Sequence, residues 1–173
     1  MEEPMVNFQT PNHQHEALCK AFLKECETHQ SELHGTSDLD AYPFEEWLEK
    51  VKRYRKGDNL PSDRVKAETF LVFDKDELVG MVNIRLELND YLRNIGGHIG
   101  YMVRPTKRRQ GYAKALLKET LVFCKEHIKD THVIISCDEK NIASKKTILY
   151  HGGELIRNIT EDGENVHVFK IKL

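Results

Sequence analysis

The stretch "HIGYMVRPTKRRQGYAKALLKE", His98 to Glu119, carries the reading of the whole chain. Its first residues alternate, so that Ile99, Tyr101 and Val103 fall on one face of a strand. Pro105 disfavours helix at Arg104 and ends that strand. Four basic residues follow closely, Arg104, Lys107, Arg108 and Arg109, and then Gly111 opens a segment in which Ala113, Leu116, Leu117, Leu121, Cys124 and Ile128 recur at helical spacing. A strand that turns at a glycine into a helix gathers unpaired backbone N–H groups and the positive helix end in one small volume, and that volume suits a phosphate. Gly111 lets a ligand oxygen approach the backbone, and Ala113 keeps the next turn thin. A solvated basic loop at a helix start accounts for the same residues without a ligand.

Working outward, a short strand is expected at Met5 to Phe8, a helix from about Glu16 to His29, and a second from Phe44 to about Arg55. The apolar runs Thr69 to Phe73 and Leu78 to Leu88 flank "DKDE" and read as a β-hairpin. Asn89 to Gly97 reads as a loop. Beyond the central helix, "HVIISC" reads as a buried strand, and Ala143 to about Tyr150 as a short helix stopped by Gly152-Gly153. Leu155 to Ile159 and Val166 to Ile171 close the chain as two strands around "EDGEN".

The 173 residues fit one domain with one core. Residues 1–64 supply helices and loops, and residues 65–173 the central part. With 26 Lys and Arg against 28 Asp and Glu, the net charge of −2 argues against electrostatic binding of nucleic acid or membrane by the molecule as a whole. Cys19, Cys26, Cys124 and Cys137 lack C-x-x-C spacing and read as reduced thiols of a cytoplasmic protein. The acidic, polar N-terminus does not resemble a signal peptide, and no apolar run approaches the ~18 residues of a membrane span. His13 and His15 have no third partner, so no metal site is expected.

Neither G-x-x-x-x-G-K-[ST] nor G-x-G-x-x-G occurs. What does occur is Arg108-Arg109-Gln110-Gly111-Tyr112-Ala113, which matches the [QR]-x-x-G-x-[GA] signature of the GNAT superfamily of N-acyltransferases, in the setting of strand, loop and helix. The chain resembles that superfamily from about Leu78 to Leu155, and "GHIGYMVRP" with "RRQGYA" resembles a bacterial subgroup of predicted acetyltransferases. The resemblance implies an α/β fold with a mixed, mostly antiparallel, twisted and splayed sheet and helices on both faces. It further implies transfer of an acetyl group from acetyl-CoA, as co-substrate, directly to a primary amine of a small molecule or peptide.

By the same resemblance, Arg108, Arg109, Gln110, Gly111, Tyr112 and Ala113 would hold the pyrophosphate of coenzyme A, the main-chain amides of Arg109 to Ala113 doing the gripping. The pantetheine arm would pair near Met102 and Val103, with the Val103 N–H facing the thioester carbonyl. Asn141 and Ser144 stand where the family's second motif contacts the cofactor, although Asn141 also reads simply as a helix cap. Ile148 stands where many relatives have a proton-donating Tyr, and Tyr150, about 200° round an ideal helix from it, does not inherit that place.

For proton handling the central strand offers His98 and Tyr101. His98 reads either as a base or as a hydrogen-bonded strand histidine. Arg85 and Glu87 alternate with Leu86 and either point into an acceptor pocket or lie on a solvated face. Glu25, Glu27, Glu32, Asp38, Asp40, Glu45, Glu46 and Glu49 make the N-terminal region acidic, which either attracts a cationic amine or merely solvates two helices. A homodimer is neither required nor excluded. The rival to catalysis is an acyl-CoA sensor that retains the donor site without chemistry.

Overall fold

The computed structural model describes residues 2–173. Helix α1 (Glu16–Thr28) follows strand β1 (Asn7–Gln9), and α2 (Phe44–Lys56) precedes the hairpin of β2 (Ala67–Asp74) and β3 (Glu77–Arg85). Then come β4 (Ile99–Val103), α3 (Tyr112–His127), β5 (His132–Asp138), α4 (Ile142–Tyr150), β6 (Glu154–Glu161) and β7 (Glu164–Lys172). One seven-stranded sheet runs in the order β1-β2-β3-β4-β5-β7-β6. Every neighbouring pair is antiparallel except β4 and β5.

The helices sit where their apolar faces send them. Cys19, Phe22 and Cys26 bury one stripe of α1, while Trp47, Leu48 and Val51 do so in α2. Both stripes pack with Leu71, Phe73, Met81 and Met102 on one face of the sheet. The opposite face carries Val72, Val82, Ile84, Ile99, Val103 and Ile135 against Leu116, Leu117 and Cys124 of α3 and Ile148 of α4. Because successive strand residues point to opposite faces, β2 and β3 are buried nearly throughout.

The expected α/β architecture, with helices on both faces of a mostly antiparallel sheet, is the one observed. Several boundaries differ. The strand expected to reach Leu88 stops at Arg85, and its last bond to the β2 side is the Leu86 N–H to Lys66 O at 2.9 Å. Within the expected loop 89–97, Leu92–Gly96 forms a π turn that closes with a Gly97 N–H to Leu92 O bond of 2.6 Å. β1 begins two residues and ends one residue later than expected, and it belongs to the sheet through β2.

The parallel pair β4–β5 is the position that matters for a site. Its ladder consists of Ile99 opposite Ile135, extended by a His98 N–H to Ile134 O bond of 2.7 Å. Beyond Ile99 the strands part, and β4 from Gly100 to Val103 has β3 on one side and no strand on the other.

Candidate active site

Groups along an antiparallel strand alternate between its two edges. The Arg104 N–H bonds to Val79 O at 2.7 Å across β3, so the Val103 and Tyr101 N–H groups face the open edge, and the Met102 N–H faces β3. The Val103 carbonyl is seen on that open edge, where it accepts from Arg108 Nε at 3.2 Å. Of the two residues expected to meet the pantetheine arm, Val103 therefore presents its backbone to the fork and Met102 does not. The Met102 side chain lies on the α1–α2 face, where its Sδ accepts the His34 N–H at 3.5 Å.

At the end of β4 a 3₁₀ turn over Pro105–Lys107 leads into α3. Arg109 (φ 60°) and Gly111 (φ 87°) both adopt the left-handed conformation. Left-handed residues in such a turn are the element from which anion-binding nests are built. The N–H groups of Arg109, Gln110, Gly111, Tyr112, Ala113 and Lys114 have no hydrogen-bond acceptor among the described residues, and the helix ladder begins only with the Ala115 N–H to Gly111 O bond at 3.1 Å. A Cβ on Gly111 would stand 3.0 Å from Pro4 Cδ, so the glycine serves both the turn and the close packing of the N-terminal segment.

The basic side chains around this nest divide unequally. Arg104 is held by Glu25, which also accepts from the Thr106 N–H at 2.8 Å and hydroxyl at 2.6 Å. Lys107 pairs with Glu77. Arg108 donates to Val103 O and, at 2.6 Å, to Ser31 Oγ, and its N–H turns back to Pro105 O at 3.4 Å. It fastens the end of α1 to β4 instead of offering a donor to the nest, which corrects its expected place. Gln110 anchors through Nε2 to Thr106 O at 3.1 Å, and the Tyr112 hydroxyl donates to Asp74 at 2.6 Å. That bond, with burial, pushes the Tyr112 phenol up to about 12, so only its backbone is turned to the nest. Arg109 alone of the four basic residues has no side-chain partner of any kind among the described residues.

At the fork itself the Tyr101 hydroxyl lies 3.2 Å from Ser144 Oγ. Burial raises the Tyr101 pKa, although hydrogen bonds from Ser144 and Thr147 oppose the rise, so the phenol is a protonated donor at neutral pH. Asn141 caps α4 through its Oδ1, which accepts the Ser144 N–H at 3.1 Å, and thereby fixes where the serine points. Cys137, on the facing strand, has its thiol raised by burial. Ile148 is fully buried, and the exposed Tyr150 ring lies under Lys114 Nζ at 4.1 Å, outside the fork.

His98 is displaced from the base role that its pKa had suggested. Its ring stands where β4 and β5 separate, and Nδ1 accepts the Ile134 N–H at 2.9 Å. The proton must then sit on Nε2, which is itself buried. Burial lowers the ring to about 4; Asp130 opposes it in part, and Arg85 and Arg93 add smaller contributions in the same direction as burial. The histidine substitutes for the missing strand neighbour and is no acceptor of protons at neutral pH.

On the α1–α2 face, the fork opens into a cavity of about 580 Å³. Its walls are the loop Leu33–Asp38, the β3 residues Asn83 and Arg85, Gly100 of β4, and Ser136 to Asp138 of β5. Gly35 (φ +69°) sits so close to β4 that a Cβ there would meet Gly100 O at 2.3 Å. The loop is anchored by the fully buried Trp47, whose Nε1 donates to Thr36 O at 2.9 Å. Arg85, expected either in a pocket or on a solvated face, lines this cavity. No three His, Cys, Asp or Glu side chains converge as metal ligands among the described residues, and no helix among them is long and apolar enough to cross a membrane. All four cysteines are free and buried.

Known proteins share this fold. The structure is similar to an acetyltransferase of the GNAT family from Streptococcus pneumoniae, with 17% identity, 97% of this chain and 99% of that chain covered, and a TM-score of 0.68. It is similar to the Salmonella typhimurium acetyl transferase that modifies the N-terminal serine of a 50S ribosomal subunit protein (14% identity, 98% and 95% covered, TM-score 0.69). It is also similar to the microcin C7 self-immunity acetyltransferase in complex with acetyl-CoA and AMP (13% identity, 98% and 93% covered, TM-score 0.72). At these identities the likeness is one of fold. No curated protein matches the sequence. The family model described as "Acetyltransferase (GNAT) domain" matches residues 6–153. Since that match spans both the fork and the nest, the chain belongs to the GNAT acetyltransferase domain family.

Proposed function

We propose that the protein transfers an acetyl group from acetyl-CoA directly to a primary amine that enters through the α1–α2 cavity. The observation that carries this reading is the run of free N–H groups from Arg109 to Lys114, placed beside a strand edge that has lost its neighbour. The nest suits the pyrophosphate of coenzyme A, which two charges and several acceptor oxygens would make a good ligand for aligned amides. The open edge of β4 accommodates the amide-bearing pantetheine arm, and the Val103 N–H lies where it can donate to the thioester oxygen as negative charge develops there.

The chemistry follows from the groups at the fork. The amine nitrogen attacks the thioester carbon, the C–S bond breaks, and the thiolate departs. Tyr101 and Ser144 form a hydroxyl pair that hands a proton to the sulfur and regains one, through water, from the nitrogen as the amide forms, and Asn141 holds Ser144 in position. A thiol of ordinary pKa ~8.5 is a tolerable leaving group, so this proton supplements the reaction without being obligatory. Transfer is direct because the Cys137 thiol, packed on the α3–α4 side of the sheet, is raised by burial and is a weak nucleophile. With His98 committed to the sheet, the amine reacts from its unprotonated fraction, and kcat/KM rises with pH toward the amine's own pKa. Holding both reactants in one cleft supplies the proximity that makes such a step fast.

Free thiol released from acetyl-CoA, measured across a panel of amines and paired with calorimetry of coenzyme A binding, tests the proposal. Amine-dependent thiol release supports it. Tight coenzyme A binding without release from any amine selects the sensor reading, which the buried Ile148 in place of a family Tyr favours. No binding at all removes both.

A further inference from the structure

Arg85 ends β3 with its guanidinium in the acceptor cavity and no anion to hold. The carboxylates lining the same cavity are each engaged elsewhere. Asp38 accepts from Lys50 Nζ at 2.5 Å, and Asp138 Oδ1 accepts the Lys140 N–H at 2.9 Å. Glu161 accepts from the Tyr91 hydroxyl at 3.0 Å, and Asp63 stands 3.8 Å from Arg64. Arg85 forms no ion pair and no side-chain hydrogen bond with any described residue, and its charged neighbours are Arg64 and the phenol of Tyr91. Part of the acidity expected to attract an amine is thus engaged within the chain. Glu25 joins Arg104, Glu45 pairs with His13 at 2.9 Å and Glu49 with Lys52 at 3.3 Å, while Asp138 and Glu161 keep their charge beside neutral donors; Arg85 is the cation of the cavity that has no carboxylate partner among the described residues.

The backbone is shaped around that charge. Arg85 Nη1 is 3.5 Å from where a Cβ of Gly100 would lie, and Gly35 faces Gly100 from the other wall. Two residues without side chains leave the guanidinium uncovered where β4 meets the cavity. A part-buried guanidinium that has given up water without gaining an anion is costly to the free protein, and a planar fork of donors is matched best by a carboxylate or phosphate.

We propose that the acceptor amine also carries an anionic group, a carboxylate or a phosphate ester, which docks on Arg85 while the amine reaches the thioester. This rests on the acetyl-transfer reading and names its substrate class. Three strand steps from Gly100 to Val103 span ~10 Å. Subtracting a ~3 Å contact at each end leaves ~4 Å or more between amine and anion, more than one carbon separates. An amine spaced from its anion by several bonds fits; an α-amino acid is too short.

The test uses the full-length protein at saturating acetyl-CoA, with 4-aminobutyrate and O-phosphoethanolamine as anionic probes, butylamine as neutral and putrescine as cationic probe. The expected kcat/KM for at least one anionic probe exceeds that for butylamine by about tenfold or more, and the better of the two identifies carboxylate or phosphate. Arg85→Gln raises KM for that probe about tenfold or more with kcat changed less, Arg85→Lys restores part of the loss, and calorimetric affinity for coenzyme A stays the same in both variants. Calorimetry of the same probes on the coenzyme A-loaded protein gives a second readout that does not need turnover. Acetylation of butylamine or putrescine as good as that of the anionic probes overturns the proposal. So does a preference for the anion that survives Arg85→Gln, or the absence of binding by both anionic probes. Binding of an anionic probe that Arg85→Gln abolishes, with no amine ever acetylated, instead leaves this inference standing and removes the acetyl-transfer reading.

Discussion

His98→Asn separates the sheet-fork role of this residue from any catalytic one. Asn places an oxygen near the position of Nδ1, so the acceptor for the Ile134 N–H is kept while the titrating ring is removed. In the folded chain the ring titrates at about 4, against 6.5 for an unperturbed histidine. The folded pKa is depressed, so between those values the unfolded chain binds a proton that the folded chain refuses, and stability falls as the pH drops. Little of this penalty is present at about pH 7; by about pH 5 it reaches ~2 kcal/mol, and near pH 4 ~3 kcal/mol. Urea unfolding followed by the fluorescence of Trp47, the single tryptophan, at about pH 7 and about pH 5 in both proteins provides the measurement. Other groups titrate equally in each, so the wild type is expected to lose ~2 kcal/mol more than the variant over this interval. Parallel losses would show that the ring is free to take a proton in the folded state, and the argument that removes His98 from the base role would fail with it.

Three further outcomes follow from the same geometry. Gly111→Glu places a side chain on a left-handed residue 3.0 Å from Pro4 and brings negative charge to the nest, so calorimetry should show coenzyme A affinity falling by about a hundredfold or more in a folded variant. Gly35→Ala drives a Cβ into Gly100 O at 2.3 Å, and denaturant titration should register a loss above ~1 kcal/mol together with a raised KM for the amine as the loop lifts from β4. For Glu25, burial acts to raise the pKa, but the Thr106 hydroxyl and N–H and the Arg104 guanidinium outweigh it and take the carboxyl from 4.5 to about 2. Its stabilisation is complete above about pH 4.5 and lost as the pH falls toward 2. Glu25→Gln should therefore lower stability by ~1.5–3 kcal/mol at neutral pH and flatten the acid limb of a pH–stability curve measured by urea titration.

Periodicity and punctuation made the elements legible. The stripe from Ala113 to Ile128 and the positions of Pro105 and Gly111 fix a strand, a turn and a helix by local geometry alone, and the family motif sits on that turn. The sequence could therefore announce this corner before any contact was known, since free main-chain amides at a helix start need no particular side chains. What it could not announce is which charges remain free. Arg104, Lys107 and Arg108 look alike in the sequence, yet each finds a partner from a distant segment, Glu25, Glu77 and Ser31. His98 had a pKa suited to a base in isolation and lost it only because the two parallel strands part at its ring. Conversely, Arg85 looked no different from any strand arginine until the fold brought Gly35 and Gly100 beside it and left it no carboxylate. Backbone conformation is set largely by neighbours in sequence, whereas the state of a side chain depends on burial and partners that only tertiary packing assigns; the turn was written locally, and the chemistry around it was decided at long range.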